Sequence, residues 1–204
     1  MELDHVVLAV SDLAAAGEEL EARHGLASIE GGRHPGWGTA NRIVPLGETY
    51  LELVAVADER EAGRNPFGSW VAAADTESMR PLGWAVRTTR LDEVARRLGL
   101  AVTEGSRIAG DGVVLRWRIA GIEHAAAEPS LPFLIEWGSE TPLPGDAAVH
   151  HPAGAVRIAA VRLQGDPDRL AAWLGPNDLP LEVRPGKAKL ESVVLASDRG
   201  AIVL

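Results

Sequence analysis

The chain has no cysteine, which excludes a disulfide framework and any thiolate metal site. Lysine is nearly absent: Lys187 and Lys189 are the only two, and the net charge is −9. Without clustered Lys and Arg to neutralise phosphates, a nucleic-acid partner is not expected. No apolar run approaches the length of a membrane span, and the opening MELDH lacks the basic stretch of a secretory leader. The expectation is a soluble cytoplasmic protein with no membrane partner. What remains is a chain of 204 residues, enough for a real core in one large domain or two small ones.

An order of elements repeats along it. LDHVVLAV (3–10) reads as a strand. SDLAAAGEELEARHG follows as a helix, with Ser11 or Asp12 as cap and Gly25 as stop. LASIEGGR, ANRIVPLG and TYLELVAV then read as three strands. The order returns in PLGWAVRTTR, the helix LDEVARRLG, and the strands LAVTEGSRI, VVLRWRIAG and PFLIEWG. It recurs in decayed form from residue 155 to 204, where Asp166, Pro167 and Gly175 frame a helix. Segments 57–80 and 139–154 read as linkers, the first with a short helix around Trp70. The fold class is α+β, built of βαβββ units: unit one over 1–56, unit two over 81–138 and a third, degenerate unit over 155–204. Each unit leaves one sheet face open, so units one and two are expected to close on each other within the chain as a cup. Unit three either packs on that pair or completes a second cup with its copy in a homodimer; the homodimer is favoured.

The repeated unit, LDHVVLAV with TYLELVAV, and above all the string GGRHPGWGTANRIVPLG, resemble the glyoxalase-like domain branch of the vicinal oxygen chelate superfamily over residues 3–138. The resemblance implies a curled mixed sheet with a divalent metal or small ligand inside. It also implies that the first and fourth strands of a unit lie side by side and supply ligands from their inward residues.

Strand alternation puts His5 on a face with Leu3, Val7 and Ala9, and Glu52 with Tyr50, Val54 and Val56. Glu136 shares a face with Leu134 and corresponds to Glu52 by position in its unit. An acid inside an apolar strand is costly without a partner, and its recurrence argues for a cation in the cup. His5, Glu52 and Glu136 are thus the candidate metal ligands, an N/O/O set suited to Zn, Ni, Co, Mn or Fe. Trp84 falls where the second unit would carry its histidine, which disfavours oxygen-activating iron chemistry; His34 is a substitute from the GGRHPGWG loop. No nucleotide cofactor is expected. The alternatives are an ion pair of Glu52 with Arg42, and of Glu136 with Arg116 or Arg118. His34, Trp37, Thr39, Asn41 and Arg42 are candidate substrate contacts at the cup mouth, with Trp84 and Trp117 as walls. His150 and His151 read as a solvated loop, and His24 as complementing a helix dipole.

If this is an enzyme, the resemblance implies Lewis-acid catalysis on a small oxygen-rich substrate through an enediolate, with Glu136 or Glu52 as general base. Isomerase, epimerase or lyase chemistry fits that better than oxygen insertion. The competing reading is a metal-free drug- or small-molecule-binding protein with an aromatic cup.

Overall fold

The computed structural model describes residues 1–77, 79–109 and 112–204; Ser78 in the first linker and Gly110 and Asp111 in unit two lie outside the described residues. Unit one comprises β1 (Glu2–Ala9), α1 (Leu13–His24), β2 (Ile29–His34), β3 (Thr39–Pro45) and β4 (Tyr50–Val56). The helix begins where Asp12 accepts from the Ala14 and Ala15 N–H groups at 2.8 and 3.0 Å. It ends at Gly25, whose φ of 66° turns the chain out of the helix. The first linker holds α2 (Glu59–Ala62) and α3 (Pro66–Ala72). Unit two follows as β5 (Pro81–Arg87), α4 (Leu91–Leu98), β6 (Val102–Ile108), β7 (Val114–Ala120), α5 (Ile122–Ala127) and β8 (Phe133–Trp137).

These eight strands form one sheet in the order β2-β3-β4-β1-β5-β8-β7-β6. In each unit the first strand pairs in parallel with the last, and β1 and β5 join the units antiparallel. The sheet curls until its outer edges meet. There Arg107 of β6 donates to the Gly31 carbonyl of β2, and a Cβ on Gly32 would overlap the Ile108 carbonyl. The inner face is closed by α3, whose Trp70 ring lies where a side chain on Gly83 of β5 would stand. Glycine at 83 makes room for that plug.

The third unit is β9 (Val156–Gly165), α6 (Pro167–Leu174), β10 (Leu181–Pro185), β11 (Lys189–Ser197) and β12 (Gly200–Val203). It keeps the element order of the other two but not their pairing. Its sheet runs β10-β9-β11-β12, so β9 pairs in parallel with the strand that follows the helix rather than with the last one. This sheet packs on the outer face of the first pair. Val161, Leu163, Leu170, Trp173, Val193 and Leu195 share one core with Val6, Leu8, Trp84, Val86 and Leu134. Polar seams fix the junction: Trp173 Nε1 donates to the Pro132 carbonyl at 3.0 Å, and Arg97 donates to the carbonyls of Ala172 and Trp173. The second linker is pinned as well. His151, expected in a solvated loop, is buried; its Nδ1 accepts from the Ala27 N–H at 3.0 Å and its Nε2 donates to the Pro45 carbonyl at 2.7 Å. Among the described residues no helix is long and apolar enough to cross a membrane.

This packing overturns the expectation that Trp84 walls the cup. In the β1–β5 register Trp84 stands opposite Val6, while His5 stands opposite Ala85. A displacement of one residue transfers a side chain to the other face of a sheet. Trp84 is fully buried in the outer core under the third unit, and among the described residues its Nε1 has no hydrogen-bond partner. Trp84→Ala should therefore cost about 3–5 kcal/mol of stability in denaturant unfolding. Trp84→Phe should cost far less, because it removes an unsatisfied donor along with some packing.

Candidate functional site

A buried cavity of about 30 Å³ lies inside the curled sheet. By the same measure a water needs roughly 10–15 Å³, so this space takes two oxygen-sized groups side by side. Its walls are unequal. Unit one contributes His5, His34, Asn41, Tyr50 and Glu52, while unit two contributes Trp117, Ile119, Ile122, Phe133, Ile135 and Trp137, with Arg107 as its one charged side chain. Trp37 and Phe67 complete the lining from the β2–β3 turn and from α3.

The polar wall is set by local backbone devices. Between Leu3 and His5 the register of β1 against β5 shifts, so Asp4 and His5 together oppose Ala85. Such a bulge lets two consecutive side chains reach the same neighbourhood, which strict alternation forbids. Asp4 is buried with His5 and holds its Nδ1 at 2.5 Å. The other carboxylate oxygen of Asp4 accepts from Trp137 Nε1 at 2.9 Å. An ionised carboxylate only accepts, so the His5 proton sits on Nδ1 and Nε2 faces the cavity. Across from it, 3.5 Å away, is Glu52 Oε2. Tyr50 stacks on the imidazole, with ring centroids 4.5 Å apart.

Glu52 Oε1 accepts from Asn41 Nδ2 at 2.6 Å and lies 3.8 Å from His34 Nε2. Gly31 makes the Asn41 placement achievable, since a Cβ there would overlap Asn41 Oδ1. His34 is anchored through Nδ1 to Thr39 Oγ1 at 2.8 Å. Burial pushes the His34 imidazole down from 6.5 to about 4; the nearby Glu52 opposes that shift, and Arg107 and His5 reinforce it. His34 is therefore neutral at physiological pH. Burial, then the charges of Asp4 and Glu52, raise the Tyr50 phenol well above its ordinary value, with a hydrogen bond to Asp4 adding to the shift, so it stays protonated.

The structure thus brings His5, His34, Trp37, Asn41, Glu52 and Trp117 around one cavity, with Thr39 behind His34. It does not bring Arg42, Trp84 or Glu136 there. Arg42 is on the helix side of β3, donating to Ser28 Oγ and to the Ser28 carbonyl, both at 3.1 Å. It pairs opposite Leu53, not Glu52. Glu136 shares a face with Leu134 as expected, but that face is the outer one, because Phe133, Ile135 and Trp137 point inward. There Glu136 is ion-paired with Arg118, which also binds Asp92 at 2.9 Å. Sequence reasoning missed Asp4, Tyr50 as a cavity-lining residue, Phe67 and Arg107. Tyr50 was readable from its shared face with Glu52; Asp4 was hidden by the bulge.

The donor set does not fit a closed metal shell. Both imidazoles turn Nε2 toward Glu52 and tie Nδ1 to another side chain, as metal-bound histidines do. However, Asn41 already occupies one Glu52 oxygen. Where unit two would offer further donors, Ala85, Phe133 and Ile135 stand instead. Among the described residues no three His, Asp or Glu side chains are grouped so as to hold an ion.

The depressed His34 carries a pH signature. Between pH 6.5 and about 4 the unfolded chain binds a proton at this residue that the folded chain does not. Stability from this group is then complete above that window and falls as the pH drops through it, by on the order of 3 kcal/mol. Denaturant unfolding across this range should show that decline in the wild type and a shallower one in His34→Gln.

Comparison with known proteins follows the same geometry. A hypothetical protein from Staphylococcus aureus superposes with a TM-score of 0.68 at 14% identity, covering 98% of this chain and 92% of its own. The shared fold therefore includes the third unit. Methylmalonyl-CoA epimerases from Streptomyces coelicolor and Mycobacterium tuberculosis match less closely. Their TM-scores are 0.48 and 0.46 at 20% and 19% identity, covering 69% and 66% of this chain and 96% and 85% of their own. No curated protein sequence matches the chain. The model of the glyoxalase-like domain matches residues 3–177. With two βαβββ units joined in one curled sheet around a buried cavity, the chain belongs to the glyoxalase-like domain family of the vicinal oxygen chelate superfamily.

Proposed function

We propose that the cup binds a small molecule carrying neighbouring oxygens and that Glu52 moves a proton at the carbon beside its carbonyl, as an isomerase, epimerase or lyase would. The observation that carries this reading is the state of Glu52. One oxygen is held by Asn41, and the other faces the oriented Nε2 of His5 across a gap of 3.5 Å, inside an aromatic-walled cavity. A carboxylate fixed this way is placed to accept a proton from carbon and return it. Asp4 positions His5, and Thr39 positions His34.

No step is assigned to the divalent metal that the family resemblance implied, because Asn41 already holds one Glu52 oxygen, unit two adds no further carboxylate or imidazole, and Glu136 is ion-paired to Arg118 on the outer face. The second reading, a binder without chemistry, is favoured by the six aromatic and aliphatic side chains that unit two turns inward. Both readings place the ligand against Glu52; they differ in whether a proton moves.

The probe 1-hydroxypropan-2-one separates them. In D₂O the protein should exchange its carbinol protons for deuterium, followed by proton NMR. Glu52→Gln should slow exchange by at least about 10²-fold, the range of a lost general base. Binding to the wild type without exchange would leave the binder reading alone. Exhaustive chelation should change neither binding nor exchange; stoichiometric metal lost in Glu52→Ala together with exchange would overturn the metal-free account.

A further inference from the structure

The polar cavity does not stand alone. A second cavity of about 290 Å³ adjoins it, lined by Asn65, Pro66, Gly99, Leu100, Ala101, Thr103, Ala120, Gly121, Glu123 and His124. Trp37, Phe67, Ile119 and Ile122 line both spaces and form the partition between them. The two differ in size and character. The inner one takes about two oxygen-sized groups, while the outer one reaches the lower end of small-molecule sites, roughly 300 Å³, and has a mainly apolar lining. Its outer rim carries the exposed Ala101, Thr103, Glu123 and His124.

The partition is made of side chains from four separate elements. Trp37 comes from the β2–β3 turn, Phe67 from α3, Ile119 from β7 and Ile122 from α5. Trp37 and Phe67 meet ring to ring at 5.4 Å, and Trp37 meets Trp117 at 5.8 Å. Asn65 ties the turn to the helix, donating from Nδ2 to the Trp37 carbonyl at 3.0 Å. Among the described residues no hydrogen bond of the Phe67 or Trp37 side chain spans the partition, so a change of either rotamer would break none.

Resting on the proposed function, we infer that the ligand is amphiphilic. Its vicinal-oxygen head sits against Glu52, and an unbranched or singly branched apolar arm passes between Phe67 and Ile122 into the outer cavity. Leu100, Ala120 and Ile122 favour an apolar arm over a charged one, while Thr103, Glu123 and His124 stand at the exposed rim.

The test compares 1-hydroxypropan-2-one with 1-hydroxyoctan-2-one by calorimetry and tryptophan fluorescence, since Trp37 and Trp117 line the inner cavity. The longer probe should bind the wild type at least tenfold more tightly. In Ala101→Trp, which fills the outer cavity, the two should bind with similar affinity; Thr103→Trp is the second filling variant should the first fold poorly. Glu52→Gln should weaken both probes. Equal binding of the two probes to the wild type, or a chain-length preference that survives both filling variants, overturns the arm assignment and leaves the head site standing. Binding of neither probe overturns the head site and the arm together.

Discussion

A carboxylate inside an aromatic-lined interior is costly unless its oxygens are satisfied, and Glu52 is 6% exposed. Much of the local structure of unit one answers that cost. Asn41 reaches one oxygen only because Gly31 leaves the space for its amide. His5 faces the other only because a bulge brings Asp4 round to hold the far side of the ring. His34 completes the surround as a neutral imidazole tied to Thr39. Among the described residues Asn41 alone donates to a Glu52 oxygen, and the oxygen that faces His5 is the one left open for a ligand.

The two units of the sheet share topology but divide the work. Unit one brings the hydrogen-bonding wall, and unit two turns Phe133, Ile135, Trp117 and Trp137 against it. A low-dielectric wall opposite an oriented carboxylate strengthens every electrostatic interaction in the space between them. The third unit stands outside this arrangement. It packs on the outer face of β1 and β5, in one core with Val6, Leu8 and Trp84, behind the two strands that carry His5 and the Trp70 plug site.

Much of this was legible in the sequence. The βαβββ order, the pairing of units one and two, and the inward sides of β1 and β4 all follow from punctuation and period-two alternation. Failures came where one residue of register decides a face. Trp84 and Glu136 were each placed in the cup, yet Ala85 and Ile135 take those inward positions. Alternation within a strand says which residues share a face, not which face is the inner one. The burial of Trp84 depends on the third unit, and that unit departs from the repeat in strand pairing, which element order does not reveal. Asp4 was missed for a different reason: a bulge cancels alternation locally and leaves no mark in the residue pattern.

The most direct test of the central claim, that Glu52 and its neighbours form a metal-free ligand site, is a crystal structure of the protein soaked with 1-hydroxypropan-2-one and grown without chelator in the presence of Zn and Mn salts. The expected result is a ligand oxygen within hydrogen-bonding distance of Glu52 or His5, with Asn41 still on Glu52. An ion bound between His5, His34 and Glu52, identified by its anomalous signal, would contradict it.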